Sequence, residues 1–429
     1  MSKRSRASGN AAPASTRRVF QILGPGLITG ASDDDPSGIA TYSQVGAQFG
    51  FGLCWIMLFS FPLMTAIQET SARIGRATGE GIAGNIRRHY PLWLLRIIVA
   101  MLLVANIINL GADLGAMGSV VNMLVGGPAL LYAVFFGALS AALQIFTNYK
   151  SYVSILKWIA VTLLAYVATA LSIDIPWREV ALRTLIPSLQ FDTKYIVAIV
   201  AVLGTTISPY LFFWQSSQEA EDVREDPKAK PLKQAPKQAP TELRRIRIDT
   251  YLGMFVSNAI GWFIIISVAA TLNAHGVKDI QTASQAAEAL RPIAGVFAFA
   301  LFALGIIGTG MLAVPVLAGS AAYALAEALE WPGGLARKPK AAKAFYGTIA
   351  LATGFGMIFN LLPVDPIKAL FWTAVINGVV AVPIMVMTML MAGQQKVMGH
   401  FVLPRSLSIM GWIATAVMCA VAVALVVTW

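Results

Sequence analysis

The 429-residue sequence predicts an all-helical integral membrane protein of about eleven spans, two five-helix halves followed by one additional helix. Three observations predict it. Hydrophobic residues make up 57% of the chain and charged residues 12%, about half the charged share of a soluble domain. Apolar stretches of membrane length, about 20 residues each, recur near 20–49, 51–72, 92–123, 128–147, 152–171, 195–222, 249–272, 293–329, 345–362, 368–391 and 408–428. The first and sixth are interrupted at Asp35-Pro36 and Ser208-Pro209. Interruptions at corresponding places in two halves point to an inverted repeat with a binding site near the bilayer midplane.

Taken in order, residues 1–19 carry Lys3, Arg4, Arg6, Arg17 and Arg18 among Ser, Ala and Pro. Without the apolar core of a signal peptide, they read as a disordered cytosolic tail. The first half covers 20–171, and its third span is long enough to tilt or project from the bilayer, as is the eighth span of the chain. Residues 172–194, with Trp177 and Arg178, read as an external connection bearing a surface helix. The second half covers 195–391. Within it, 223–248 repeats Lys-Gln-Ala-Pro at Lys233 and Lys237 and reads as a flexible cytosolic loop. Residues 392–429 supply a cytosolic loop and the eleventh helix. With the amino terminus inside, all of the 32 Lys and Arg except Arg178, Arg183, Lys194, Lys278, Arg291 and Lys368 fall on the cytosolic side. The positive-inside rule then places the carboxyl terminus outside, in a multi-pass plasma membrane protein.

That distribution accounts for the net charge of +11 without a nucleic-acid partner. Cys54 and Cys419 lie in apolar spans far apart and read as small core residues. His89, His275 and His400 all fall in loops, so no membrane helix offers an imidazole to carry protons. No nucleophile motif, histidine metal cluster or selectivity-filter repeat is present, so neither an enzyme nor a channel is expected, and no resident cofactor.

The chemistry concentrates in Ala31-Ser32-Asp33-Asp34-Asp35-Pro36-Ser37-Gly38. Each acid at membrane depth costs on the order of 2.5–3.5 kcal/mol even on translocon scales, so intramembrane acids mark ion pathways. Pro36 removes an amide donor and frees carbonyls before it, and unwound backbone at this depth survives where it lines a cavity. Carbonyls beside carboxylates form an oxygen cage for a cation. On the third span, Asn106, Asn109 and Asp113 share one face. The asparagines line an aqueous path or bond between helices, whereas an acid such as Asp113 favours the path. Glu219 and Asp222 read as solvated charges near a cytosolic mouth, and Gln68 and Glu69 pose the same choice between a functional and a merely solvated role. Asn377-Gly378 is the polar interruption of the tenth span. Gly305, Gly308 and Gly310 read as helix packing, and Met385, Met387, Met389 and Met391 as lipid-facing or core packing.

Gly24-Pro25-Gly26 with Asp35-Pro36-Ser37-Gly38, Gln44–Gly50, and Gln68–Gly79 resembles the first two helices of the Nramp divalent-metal transporters. Gly204–Ser217 resembles their sixth helix, and the likeness extends over about residues 20–425. It implies a LeuT-like fold of five plus five inverted helices. The departures resemble the Nramp-related magnesium transporter branch. The family's Asp-Pro-Gly-Asn is Asp35-Pro36-Ser37-Gly38, its Met-Pro-His is Ser208-Pro209-Tyr210, and its third-helix Asp-x-x-Glu is Asp113-Leu114-Gly115-Ala116. Loss of a thioether favours oxygen-seeking ions such as magnesium and manganese. Loss of the asparagine side chain at Gly38 leaves room for an ion that keeps its waters. The expected metal site is Asp35 with the Ala31, Ser32 and Thr205 carbonyls and the Ser208 hydroxyl, beside Gly38. Asp34, Asp113, Asn109, Asn377 and Tyr210 are expected along the ion path. The function expected is potential-driven uniport of Mg2+, and of Mn2+, by alternating access, with the divalent ion as substrate. Alternatives are a proton-coupled Mn2+/Fe2+ symporter of the Nramp type and an organic-solute symporter of the same fold.

Overall fold

A computed structural model describes residues 25–147 and 163–428, and among them every regular element is helical. The basic tail, the start of the first span at 20–24, and 152–162 of the fifth span lie outside the described residues.

The first span is two helices, α1 (Pro25–Asp33) and α2 (Pro36–Phe49), separated at Asp34-Asp35. Then follow α3 (Cys54–Thr78), α4 (Ile82–His89), α5 (Leu92–Val125) and α6 (Ala129–Phe146). Beyond the undescribed stretch come α7 (Leu164–Ser172) and the surface helix α8 (Trp177–Leu185). The sixth span is again split, into α9 (Thr193–Thr206) and α10 (Pro209–Glu225). It is followed by α11 (Ala239–Thr271), α12 (Ala298–Leu329), α13 (Lys343–Phe359), α14 (Pro366–Ala392) and α15 (Arg405–Thr428). Pro36 and Pro209 each stand at the first position of the second half-helix, where a missing amide costs nothing. Pro62, Pro315 and Pro383 lie within helices that continue past them. At 34 and 32 residues, α5 and α12 reach roughly 50 Å at 1.5 Å per residue, as their apolar lengths predict.

Close helix approach depends on small residues. A Cβ on Gly30 of α1 would lie 2.3 Å from the Gly253 carbonyl carbon of α11, and one on Gly204 of α9 would lie 2.0 Å from the Ala374 carbonyl oxygen of α14. Gly310 is likewise a packing position, with Met117 and Pro36 against it. In lipid, where neighbours are as apolar as leucine, such backbone proximity replaces the hydrophobic drive of water.

Four readings of the sequence are corrected. Residues 223–248 do not form a flexible loop. Instead α10 continues to Glu225 and α11 begins at Ala239. The intervening turn is pinned by Leu232 and Lys233 amides donating to the Arg76 and Ala77 carbonyls, 3.2 Å each, with Leu232 buried. Glu219 is not solvated but buried, paired with Arg245 of α11. Cys419 is exposed, because the eleventh helix α15 packs on α3, α9 and α14 by one side only, whereas Cys54 is buried as expected. Of the two readings of the methionines at 385, 387, 389 and 391, core packing is the one that holds, since all four are buried. The tenth span, α14, runs through Asn377-Gly378 without interruption.

Candidate functional site: two helix breaks

The two breaks adjoin at the protein centre. Asp35 is the cap of α2, and its Oδ1 accepts from the Gly38 amide at 2.8 Å and the Ser37 hydroxyl at 2.6 Å. Its Oδ2 accepts from Asn109 Nδ2 of α5 at 3.1 Å. Tyr210, from the first turn of α10, donates to the Ser32 carbonyl at 3.0 Å and stands 3.4 Å from Asp35 Oδ2. Asp35, Ser32, Ser208, Thr205, Asn109 and Tyr210 are all buried. Of the residues predicted from sequence, the structure thus brings together Ser32, Asp35, Gly38, Asn109 and Tyr210. A Cβ on Gly38 would lie 3.2 Å from both the Asp33 carbonyl oxygen and the Thr205 hydroxyl. Gly38 therefore bridges the two breaks, and the volume its missing side chain leaves is taken by these neighbours.

Across the gap, Ser208 occupies the cap position of α10, but its hydroxyl turns back to donate to the Gly204 carbonyl at 3.0 Å or the Thr205 carbonyl at 2.8 Å. Its oxygen lone pairs and the second lone pair of the Thr205 carbonyl remain able to accept a cation. Ala31 is partly buried on α1. Asn106 donates to the Leu317 carbonyl and Ser320 hydroxyl of α12, at 3.0 and 2.6 Å, which is an interhelical bond and not a path. Asn377 is buried on α14 beside Gly378, which packs against α9, and makes no hydrogen bond to either break. Asp113 is wholly buried within electrostatic reach of Asp35, and neither carboxylate oxygen has a hydrogen-bond partner among the described residues.

The sequence reading placed a span at 249–272 but missed the polar face that α11 turns to the first break. Its Asp249, Gly253 and Ser257, four residues apart, line one face against α1. Asp249 Oδ2 accepts from the Gly26 amide at 2.7 Å, and the Ser257 hydroxyl lies 2.7 Å from Asp33 Oδ2 and 3.1 Å from Asp34 Oδ1. That four-residue stripe of polar and small residues in an apolar span was the available signal.

On one side of the breaks, ion pairs within α3 and between α3 and α11 close the bundle. Glu69 pairs with Arg73 at 2.6 Å and Arg247 at 3.5 Å, and Arg76 pairs with Glu242 at 3.0 Å. Gln68 bonds Gln215, which reaches Thr250. Nearby, burial and the charges of Lys233, Lys396 and Arg88 hold the His89 imidazole below its ordinary value, so it is neutral at pH 7. At the far side, by the carboxyl end of α2, a cavity of about 620 Å³ is lined by Gln44, Gln48, Lys194, Lys278, Asp279 and Trp372. The acids at the break do not reach it, being at most 3% exposed. Among the described residues no three His, Cys, Asp or Glu side chains converge as a ready metal cage. The oxygen donors near the breaks are one or two carboxylates, backbone carbonyls and hydroxyls.

The family model for natural resistance-associated macrophage protein-like proteins matches residues 26–428. The chain belongs to the Nramp family. Among curated relatives, the divalent metal cation transporter MntH of Deinococcus radiodurans is 26% identical over 96% of this chain and 91% of its own length. MntH of Klebsiella pneumoniae (strain 342) is 24% identical over 96% and 95%. The Eremococcus coleocola manganese transporter, solved with an aromatic bis-isothiourea compound, superposes with a TM-score of 0.74 at 16% identity, covering 96% of this Nramp chain and 87% of its own. Mhp1 in an inward-facing conformation gives 0.52 at 13% identity, over 94% and 90%. MhsT with L-phenylalanine gives 0.54 at 14%, over 93% and 98%. The fold of this Nramp protein is therefore LeuT-like, with helices one and six broken as the two prolines require.

Proposed function

We propose that this protein transports divalent metal ions, Mg2+ first and Mn2+ also, inward across the plasma membrane by alternating access around Asp35. The observation that carries the reading is a buried carboxylate at a helix break, oriented by Asn109, Ser37 and Gly38, with oxygen atoms as its neighbouring candidate ligands. Its Nramp relatives, named as divalent metal and manganese transporters, support the substrate class. Ser208 in place of a thioether, and a site too sparse in carboxylates to strip an ion bare, support magnesium within that class. The ligands are Asp35, the carbonyls of Ala31, Ser32 and Thr205, and Ser208 beside Gly38. Asp34, Asp113, Asn109, Asn377 and Tyr210 border the path. The amino terminus lies in the cytosol and the carboxyl terminus outside, so the Gln44–Asp279 cavity is the outer vestibule and the Glu69–Arg73 cluster faces the cytosol.

Transport is uniport. No histidine stands in a described membrane helix, and Tyr210 and Ala116 occupy positions where the resemblance implies titratable partners. A divalent ion gains about 4.6 kcal/mol from 100 mV, enough for roughly thousandfold accumulation. The second reading, proton-coupled Mn2+/Fe2+ symport, is favoured by one observation, the unpartnered buried carboxylate of Asp113. Uptake of Mg2+, Mn2+ and alanine into proteoliposomes tests the first step. Metal uptake without alanine uptake is expected, and alanine uptake without metal would overturn it.

A further inference from the structure

We propose that Asp33, Asp34, Ser257 and the Tyr42 hydroxyl form a second divalent-cation site on the α11 side of the first break, distinct from Asp35. The inference rests on the reading of Asp35 as a ligand of the transported ion.

Geometry separates the two sites. Asp35 turns toward α5 and α10, where Asn109 and Tyr210 meet it. The last turn of α1 is held the other way. The Gly26 amide on Asp249 and the fit of Gly30 against Gly253 fix its register on α11, and Ser257 then meets both Asp33 and Asp34. Ser257 has one hydroxyl hydrogen and two carboxylate oxygens beside it, so with both acids ionised one of these contacts lacks a proton donor. Asp33 Oδ1 is buried and has no partner among the described residues. Tyr42, wholly buried, brings its hydroxyl beside Thr205 and into the field of Asp33, Asp34 and Asp35 without a hydrogen bond to any of them. Acceptors outnumber donors in a space closed to solvent, an arrangement that native structures complete with an ion, a water or a proton.

Charge gives the same answer independently. Asp33, Asp34, Asp35 and Asp113 are all buried, and none is in an ion pair with a described Lys, Arg or His. Uncompensated charge at this depth is costly, and a single divalent ion at Asp35 leaves half of it. The carboxyl end of α1 adds its own carbonyl dipoles, which favour a cation at Asp33 and Asp34. Two carboxylates, hydroxyls and water are hard oxygen donors suited to Mg2+ or Mn2+.

The test is equilibrium binding of Mn2+ to the purified full chain in detergent, with free Mn2+ read by electron paramagnetic resonance and displaced by Mg2+. Two ions per chain are expected for the wild type. Asp33→Asn and Ser257→Ala should each lose one, Asp35→Ala should lose the other, and Asp33→Asn with Asp35→Ala should lose both. A wild type that saturates with one ion overturns the proposal, because protons then neutralise the remaining acids. Two ions retained in both Asp33→Asn and Ser257→Ala overturn it equally. If Asp35→Ala alone keeps both ions, the reading of Asp35 fails and the second site stands. Ser257→Ala, uncharged and nearly isosteric, serves if the aspartate variant aggregates.

Discussion

The two helix breaks share a design and differ in how it is used. Each opens over two residues, and each restarts on a proline. At the first, the cap residue is Asp35, whose side chain accepts from the new helix and still presents an oxygen to Asn109. At the second, the cap residue is Ser208, whose hydroxyl bonds backward to α9 and leaves the first turn of α10 without a side-chain cap. Thr206 does the same toward the Val202 carbonyl at 3.0 Å. The first break therefore supplies charge, and the second supplies neutral carbonyl and hydroxyl oxygens already anchored to their own helix. On the proposed reading, a cation seated between them would be bound by one side and framed by the other.

Substitutions that exchange these roles sharpen the contrast. The largest effect is expected for Asp35→Ala, which removes the charge. Uptake of Mg2+ into proteoliposomes should fall to background while the protein elutes as a folded species. Wild-type uptake in this variant would move the site to Asp33 or Asp34. Next is Asn109→Leu, which frees Asp35 Oδ2 from its orienting donor. Groups that orient a ligand are worth about 10–100-fold in metal affinity, so a loss of roughly tenfold in Mn2+ affinity is expected by titration. No change would mean that the Asn109 bond has no part in binding.

Ser208→Met should have a smaller, selective effect, raising affinity for cadmium relative to magnesium by introducing a soft donor. Isothermal titration with both ions checks it, and an unchanged ratio would remove Ser208 from the site. The added Gly38→Asn change narrows the same site but must displace Thr205 or the Asp33 carbonyl, 3.2 Å from the new Cβ, so the single variant is read first. The smallest effect is expected for Tyr210→Phe, which loses the bond to the Ser32 carbonyl but no charge. A few-fold rise in the KM for Mg2+ is expected, and loss of all uptake would assign Tyr210 a role beyond positioning.

Much of the first break was legible in the sequence, because an acid before a proline in an apolar span has few structural explanations. The second break was legible from Pro209, and the Asn109–Asp113 face from its spacing. What could not be read were partnerships between distant segments. Ser257 lies 224 residues from Asp33, and although its four-residue stripe marks a polar face, nothing local says which segment that face meets. The 223–248 segment looked mobile because its lysines and prolines dominate its composition. Buried Val223, Leu232, Ala239 and Ile246, two backbone bonds to α3 and the ion pairs of Glu242 and Arg245 hold it. Glu219 looked solvated for the same reason, since its partner Arg245 belongs to the next helix. Gly38 was read as an absence of bulk, whereas its surroundings had closed on it.

On the proposed uniport reading, charge enters this protein on the metal ion alone. The direct measurement is luminal pH in proteoliposomes during Mg2+ or Mn2+ influx at clamped membrane potential. The account predicts metal influx that follows the potential, with no acidification of the lumen. Metal-dependent acidification that disappears in Asp113→Asn would contradict it and establish proton-coupled transport.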